Sequence, residues 1–299
     1  MADIIWIGTD TAGDWNVDAN WVGGTKPANG DDVFFTNSSQ DCDTTLDQSA
    51  LALASLTIDQ SYTGKIGTLA GNVVTYLQVG TALLTIGQQD GTSTPTGSTQ
   101  LFLDLGSATQ CIAAIHNSAT TADNSTLMPI QITAAKNDHE FYIKRGKVGF
   151  ANATAGETST IDTIDVGWIA SRSSDSLVTT GPGITLENWN QTGGRAVLRS
   201  ATTVGLVLRS GELRTEGSGT HPAISVYGGE LVSNSTGTIT LLTGFGGIAD
   251  FLRSNQARTL TTMDTWAGFT WKLDPAVVTL TNDPEPQDPQ VSAATRPPS

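Results

Sequence analysis

The sequence predicts an all-β chain folded as a right-handed parallel β-helix, and three observations carry that prediction: composition, the form of the apolar segments, and a short internal repeat. Of 299 residues, 32 are Gly and 45 are Thr against six Lys, and only 15% are charged. Thr and Gly are poor helix formers, and the Lys- and Glu-rich stretches that clothe exposed helices are missing. From Leu51 onward, short alternating apolar segments such as 56–58 (LTI), 76–87 (YLQVGTALLTIG) and 101–106 (LFLDLG) are each bounded by Gly, Asn, Asp or Ser. Those are strands joined by tight turns.

The repeat decides between β architectures. LVLRSGELRT, starting at Leu206, returns 18 residues later as ISVYGGELVS, starting at Ile224. A third copy, FYIKRGKVGF, begins at Phe141, 65 residues before Leu206, which divides into three steps of about 22. A weaker echo is Leu77, Val79, Ala82 and Leu84, and Gly246-Gly247 falls 18 residues after Gly228-Gly229. Such a period suits coils that each lay their strands on the coil before, with a glycine at the corner where positive φ is needed. The competing expectation is an antiparallel β-sandwich or barrel whose hairpins recur at similar spacing.

The segment 1–50 reads as a Trp-rich N-terminal module. Trp6, Trp15 and Trp21 fall within 16 residues, followed by Pro27 and the turn Asn29-Gly30-Asp31-Asp32 before Val33, Phe34 and Phe35. An uncapped solenoid exposes a strand edge, so the three indoles with Pro27 are expected to cap that end or to dock a partner. Residues 51–281 form the β-helix body. The last 18 residues, 282–299, carry five prolines and read as an extended arm that reaches up to about 56 Å at 3.1 Å per residue; Pro284, Pro286 and Pro289 are its candidate contacts.

Trp6-x-Gly8, Asp14-Trp15, Asn20-Trp21, Pro27 and Gly30-Asp31-Asp32-Val33 resemble the opening motif of adhesin-like and passenger-like bacterial β-helix proteins. Ser55-Leu56-Thr57-Ile58 with Tyr62-Thr63-Gly64 resembles the coil that follows it there. The resemblance covers about the first 70 residues, moderately specific for fold and poorly for function. Those relatives carry an export signal before the motif, whereas here Met1 precedes Trp6 by five residues. The departure points to bacteriophage virion proteins, which use similar β-helices and assemble inside the host.

Net charge is −14, so a phosphate backbone or an anionic membrane would be repelled, and neither nucleic acid nor membrane is an expected partner. MADIIWIGTD has neither a basic nor an apolar leader region and no long apolar run follows, so synthesis and residence in the host cytoplasm are expected. Cys42 and Cys111 have no CxxC spacing and read as small buried apolar residues. His116, His139 and His221 are each isolated, and Asp138-His139-Glu140 reads as a solvated turn. Asp41-x-Asp43 and Asp31-Asp32 lack a full Ca²⁺ loop. No cofactor, metal or catalytic residue is expected.

The paired carboxylates are Asp162 with Asp165, and Glu212 with Glu230, which the repeat places one above the other on adjacent coils. Arg214 nearby suffices to explain the second pair as a surface ladder. Trp168, Trp189, Trp266 and Trp271 are too irregularly spaced to line one sugar groove. The expected function is structural: a head decoration (cement) protein bound to the major capsid protein on the virion surface, as a homotrimer. The alternatives are a tail-fibre or receptor-binding module contacting host glycans, and a polysaccharide-degrading enzyme.

Overall fold

The computed structural model describes residues 2–10, 12–71, 73–87, 97–106, 112–116, 127–135, 138–167, 176–199, 202–282 and 284–286. Twenty-two strands form one sheet, and its strand pairings are parallel throughout, from Asp3–Trp6 on Asp32–Phe35 to Arg258–Thr265 on Val278–Leu280. Among the described residues one antiparallel hairpin, Thr68–Ala70 with Val73–Thr75, stands outside it. Each strand pairs with the strand one coil later, so the chain is a parallel β-helix and the face-to-face antiparallel alternative is excluded. No helix among the described residues is long and apolar enough to cross a membrane.

Three faces enclose one core. On the first face, Ile4, Val33, Leu56 and Leu84 stack inward on successive rungs. After the rung at Ala113 the column continues through Phe141, Ile164, Trp189, Leu206, Ile224, Leu242 and Met263. The third repeat copy at Phe141 is therefore in phase, three rungs before Leu206. The echo at Leu77 is out of phase: Leu84, not Leu77, occupies the Phe141 position. Alternate residues point inward because side chains in a strand alternate between faces. The column holds because apolar side chains leave water only by stacking on the coils above and below.

On the second face the inward column is Cys42, Ile66, Leu101, Ile130, Val148, Val178, Ala196, Leu213, Leu231 and Ala249. Cys42 is fully buried and its thiol is free; burial and the acids Asp43, Asp14, Asp10 and Asp41 push its pKa far up. It behaves as the small apolar residue the sequence suggested. Cys111 lies outside the described residues. The third face is short and carries Leu186, Thr203, His221, Ile239 and Leu260 inward, all buried. Between the third and first faces the register skips one residue per rung, at Glu187 and Val204 and again at Pro222 and Thr240. Two consecutive residues then face outward, and the strand turns a corner there.

The corner between the first and second faces is made by glycine. Gly194, Gly211, Gly229 and Gly247 all have positive φ, +69°, +88°, +77° and +78°. A Cβ on Gly229 would sit 2.5 Å from the Gly211 carbonyl oxygen, and one on Gly247 2.6 Å from that of Gly229. Backbone rests on backbone, which only glycine permits at this φ. The segment 1–50 supplies the first rungs of the same sheet, and the strand Asp47–Ile58 runs across residue 50.

Candidate functional site

Trp6, Trp15 and Trp21 are 0%, 0% and 1% exposed. Trp21 packs edge-on against Trp6 and Trp15, with ring centroids 5.0 and 4.8 Å apart, and Phe35 completes the cluster. The Trp21 Nε1 donates to the Trp15 carbonyl at 2.8 Å, and the Trp6 Nε1 to the Gln40 carbonyl at 3.1 Å. Outside the cluster, residues 20–22 run antiparallel to the free edge of the first strand: Ile7 N donates to Asn20 O, and Val22 N to Ile5 O. Asn20, fully buried, ties this segment down through Asp10 and the Asp14 carbonyl. Pro27 is buried as well. These side chains close the end of the solenoid and offer no surface to a partner, so of the two roles expected for them, capping is the one their burial allows.

The acids of the opening motif are likewise taken up locally. Asp31 accepts the Ala2 and Ala28 amides at 3.0 Å each, and Asp32 accepts the Ser55 hydroxyl at 2.6 Å. Asp41 accepts the Lys65 amide at 2.8 Å. Among the described residues no group of three His, Cys, Asp or Glu side chains is placed to hold a metal ion.

Glu212 and Glu230 do sit in register on adjacent rungs of the second face. Each has its own cation: Arg214 lies 3.8 Å from Glu212, and Arg253 lies 2.6 Å from Glu230 and 3.3 Å from Asp250. The network continues through Lys272 to Asp250 at 3.7 Å and through Arg199 to Glu216 at 2.8 Å. Alternating charges, partly exposed except at the buried Asp250, make a charged lattice on this face rather than a pair of carboxylates facing a bond to be cleaved. Asp162 stands at the corner, accepting Asn188 Nδ2 at 3.2 Å. Asp165 lies on the first face, where burial raises its pKa and an Asn190 hydrogen bond opposes the rise. Glu140 accepts the Tyr142 hydroxyl at 2.6 Å, and that hydrogen bond with partial burial pushes the phenol up to about 12.

His139 and His221 are buried. Burial pushes the His221 pKa down to about 4, so the ring stays neutral in the core. The side chain of His116 lies outside the described ones.

Of the sugar-platform candidates, Trp189 is core and Trp271 is half-buried under Phe269, centroids 6.3 Å apart. Trp168 lies outside the described residues. Trp266 belongs to a feature the spacing did not suggest. Arg209, Tyr227, Phe245 and Trp266 each follow the last residue of a first-face rung and stack along the corner. The Arg209 guanidinium lies 4.9 Å from the Tyr227 centroid, and the rings are 4.5 and 4.4 Å apart. The faces of Tyr227 and Phe245 are covered by one another, by Arg209 and by Trp266, so this column spends its π surface on itself instead of on a sugar ring. Carrying the repeat's phase one residue further, to 245 and 266, would have found it.

One exposed apolar element is the hairpin Thr68–Thr75. Before it, Ile66 bridges Cys42 and Leu101; after it, Leu77 pairs with Leu103. Residues 67–76 are thus an excursion from the second face, and the stack closes over the gap. Leu69 is 43% and Val73 62% exposed. The base is fixed: Tyr76 packs on Phe102, centroids 6.2 Å apart, and its hydroxyl donates to Glu157 Oε1 at 2.8 Å. Two apolar pairs around Gly71-Asn72 were the available signal. At the other end, Glu285–Pro286 pairs with Asp264–Thr265 on the first face and Pro284 is half-buried. The candidate contact Pro289 lies outside the described residues.

Compared with known protein families, with curated proteins and with solved structures, the chain finds no match.

Proposed function

We propose that the chain is a structural protein of a bacteriophage virion, a decoration (cement) protein that lies on the capsid and stabilises it through the major capsid protein. The observation that carries this reading is a projecting apolar hairpin on the side of the solenoid. Leu69 and Val73 are held out in water by a base that Tyr76 and Glu157 lock. A monomer gains nothing from that exposure, and the solenoid does not need the excursion to stack, so a partner surface is the economical explanation.

A rigid rod laid across neighbouring subunits binds the assembled shell and not its separated parts, and so adds free energy to the closed state alone. The net charge of −14 keeps free copies apart before docking. The proline-rich segment that follows Pro286 supplies a second contact, making attachment bivalent. The protein is made in the host cytoplasm and ends on the virion surface.

The test is co-sedimentation with shells stripped of this protein, using the full chain, a Leu69→Asp/Val73→Asp double variant and a chain lacking residues 283–299. The full chain should bind, the double variant at least tenfold more weakly with unchanged circular dichroism, and the truncated chain more weakly than the full one. A full chain that ignores shells but binds host cells or glycans would replace this reading with a receptor-binding one. Polysaccharide cleavage abolished by Glu212→Gln or Glu230→Gln would replace it with an enzymatic one.

A further inference from the structure

The two ends of the solenoid are finished differently. At the start, residues 20–22 cover the outer edge of the first strand, with Ile7 N donating to Asn20 O and Val22 N to Ile5 O. At the finish, Val278–Leu280 lies on Arg258–Leu260 of the third face, and Glu285–Pro286 lies on Asp264–Thr265 of the first. The second face ends one rung earlier, at Phe269–Lys272, which pairs with Gly247–Asp250 and, among the described residues, with no later strand. The Lys272 carbonyl accepts the Phe251 amide of the earlier rung. Main-chain groups alternate sides along a parallel strand, so the N–H and C=O of Trp271 point away from that rung. The core is open at the same place: Trp271, Leu273, Val277 and Leu280 pack against it and stay only half-buried. The Trp271 Nε1 is buried and finds no acceptor among the described residues.

We propose that this edge is the docking site of the chain's own following segment, and that residues within 290–296 add a last strand to the second face. The chain leaves the first face at Pro286, over Thr265. In the coil before, residues 266–268 carry it from that point to the second face. Thirteen residues, QDPQVSAATRPPS, follow Pro286. At about 3.3 Å each in a strand they reach well past the four positions of the rung. Proline cannot donate to a ladder, and 290–296 is the one run among them in which seven successive N–H groups are available. Val291, their one large apolar side chain, suits the open core end at Trp271. Pro289 stands near where Gly268 takes a φ of +94°, which proline cannot adopt, so the entry is an extended turn and not a copy of the earlier corner.

An uncovered strand edge recruits extended chain, and tethering selects which. A segment joined a few residues from its site is present there at an effective concentration on the order of millimolar. A second copy carries the same net charge of −14 and is repelled. Pro297 and Pro298 lie beyond the run and remain for the second contact with the shell. The inference rests on the edge and the tether, and is independent of the capsid reading.

Hydrogen exchange at the Trp271 amide, followed by NMR in the full chain, tests this. Without shells, its protection should be independent of protein concentration. Protection should fall at least about tenfold in Val291→Asp. It should fall as far in the double variant Ser292→Pro/Ala293→Pro, which removes a ladder N–H whichever way the strand alternates. Pro298→Ser should leave it unchanged. The Leu231 amide, deep in the stack, should stay protected in every variant, which separates loss of the last strand from loss of the fold. A Trp271 amide that exchanges freely in the full chain, or one protected equally in all variants, would overturn the proposal. So would protection lost on dilution, which assigns the edge to a second copy, and protection gained only when shells are added, which assigns it to the capsid protein.

Discussion

The closed N-terminal end and the short coils between Arg195 and Asp250 solve the same problem in opposite ways. At the end there is no previous coil to rest on, so large side chains do the filling: three indoles and Phe35 interlock, and an antiparallel segment covers the free strand edge. In the short coils the filling is done by neighbours of ordinary size, and the backbone comes so close at the corner that Gly211, Gly229 and Gly247 leave no room for a Cβ. A solenoid is therefore side-chain limited at its end and backbone limited in its body. Substitutions should respond accordingly.

Trp21→Ala should be the most damaging change, destabilising by about 3–5 kcal/mol in chemical denaturation. Hydrogen exchange should then show the first strand losing protection before the coils at 205–250. Equal loss along the whole chain would mean that the cap is no separate feature. In the body, Gly229→Ala should cost about 2–4 kcal/mol, combining a strained φ with backbone overlap. Gly217→Ala is its control, because the φ of +82° is similar but the nearest atom to a Cβ is 3.7 Å away; it should cost only about 1 kcal/mol. Equal costs would remove the close approach from the account.

His221 tests the core of the short coils by pH. Its folded pKa, about 4, lies below the ordinary 6.5, so the unfolded chain takes up the proton first. Stability should fall as pH drops from about 6.5 to about 4, by roughly 3 kcal/mol, and level off below. His221→Leu should flatten that part of the melting-temperature profile. The smallest effect belongs to the charged face: Glu230→Gln should change stability by less than about 1 kcal/mol, since Arg253 and Glu230 are both partly exposed.

Much of the fold was legible because the repeat is a direct consequence of stacking. Leu206 and Ile224 share a template since one lies on the other, and Phe141 fits it because it lies three coils earlier in the same column. Leu77 misled because apolar alternation also occurs where the chain rejoins the second face after the hairpin, and alternation alone carries no phase. The tryptophans announced a cap by number, yet only burial separates capping from docking. Glu212 over Glu230 was readable from the period, while the cation that engages Glu230, Arg253, is 23 residues away and belongs to the next coil. The hairpin was overlooked because its sequence resembles any other strand pair, and what marks it is its exclusion from the stack.

Electron cryomicroscopy of particles assembled with and without this chain tests the central claim most directly. The account predicts rod-shaped density on the capsid lattice, present only when the chain is supplied, contacting the shell through the hairpin at Leu69 and Val73, with particles lacking it bursting under milder stress. Identical shells in both preparations, or density confined to the tail, would contradict it.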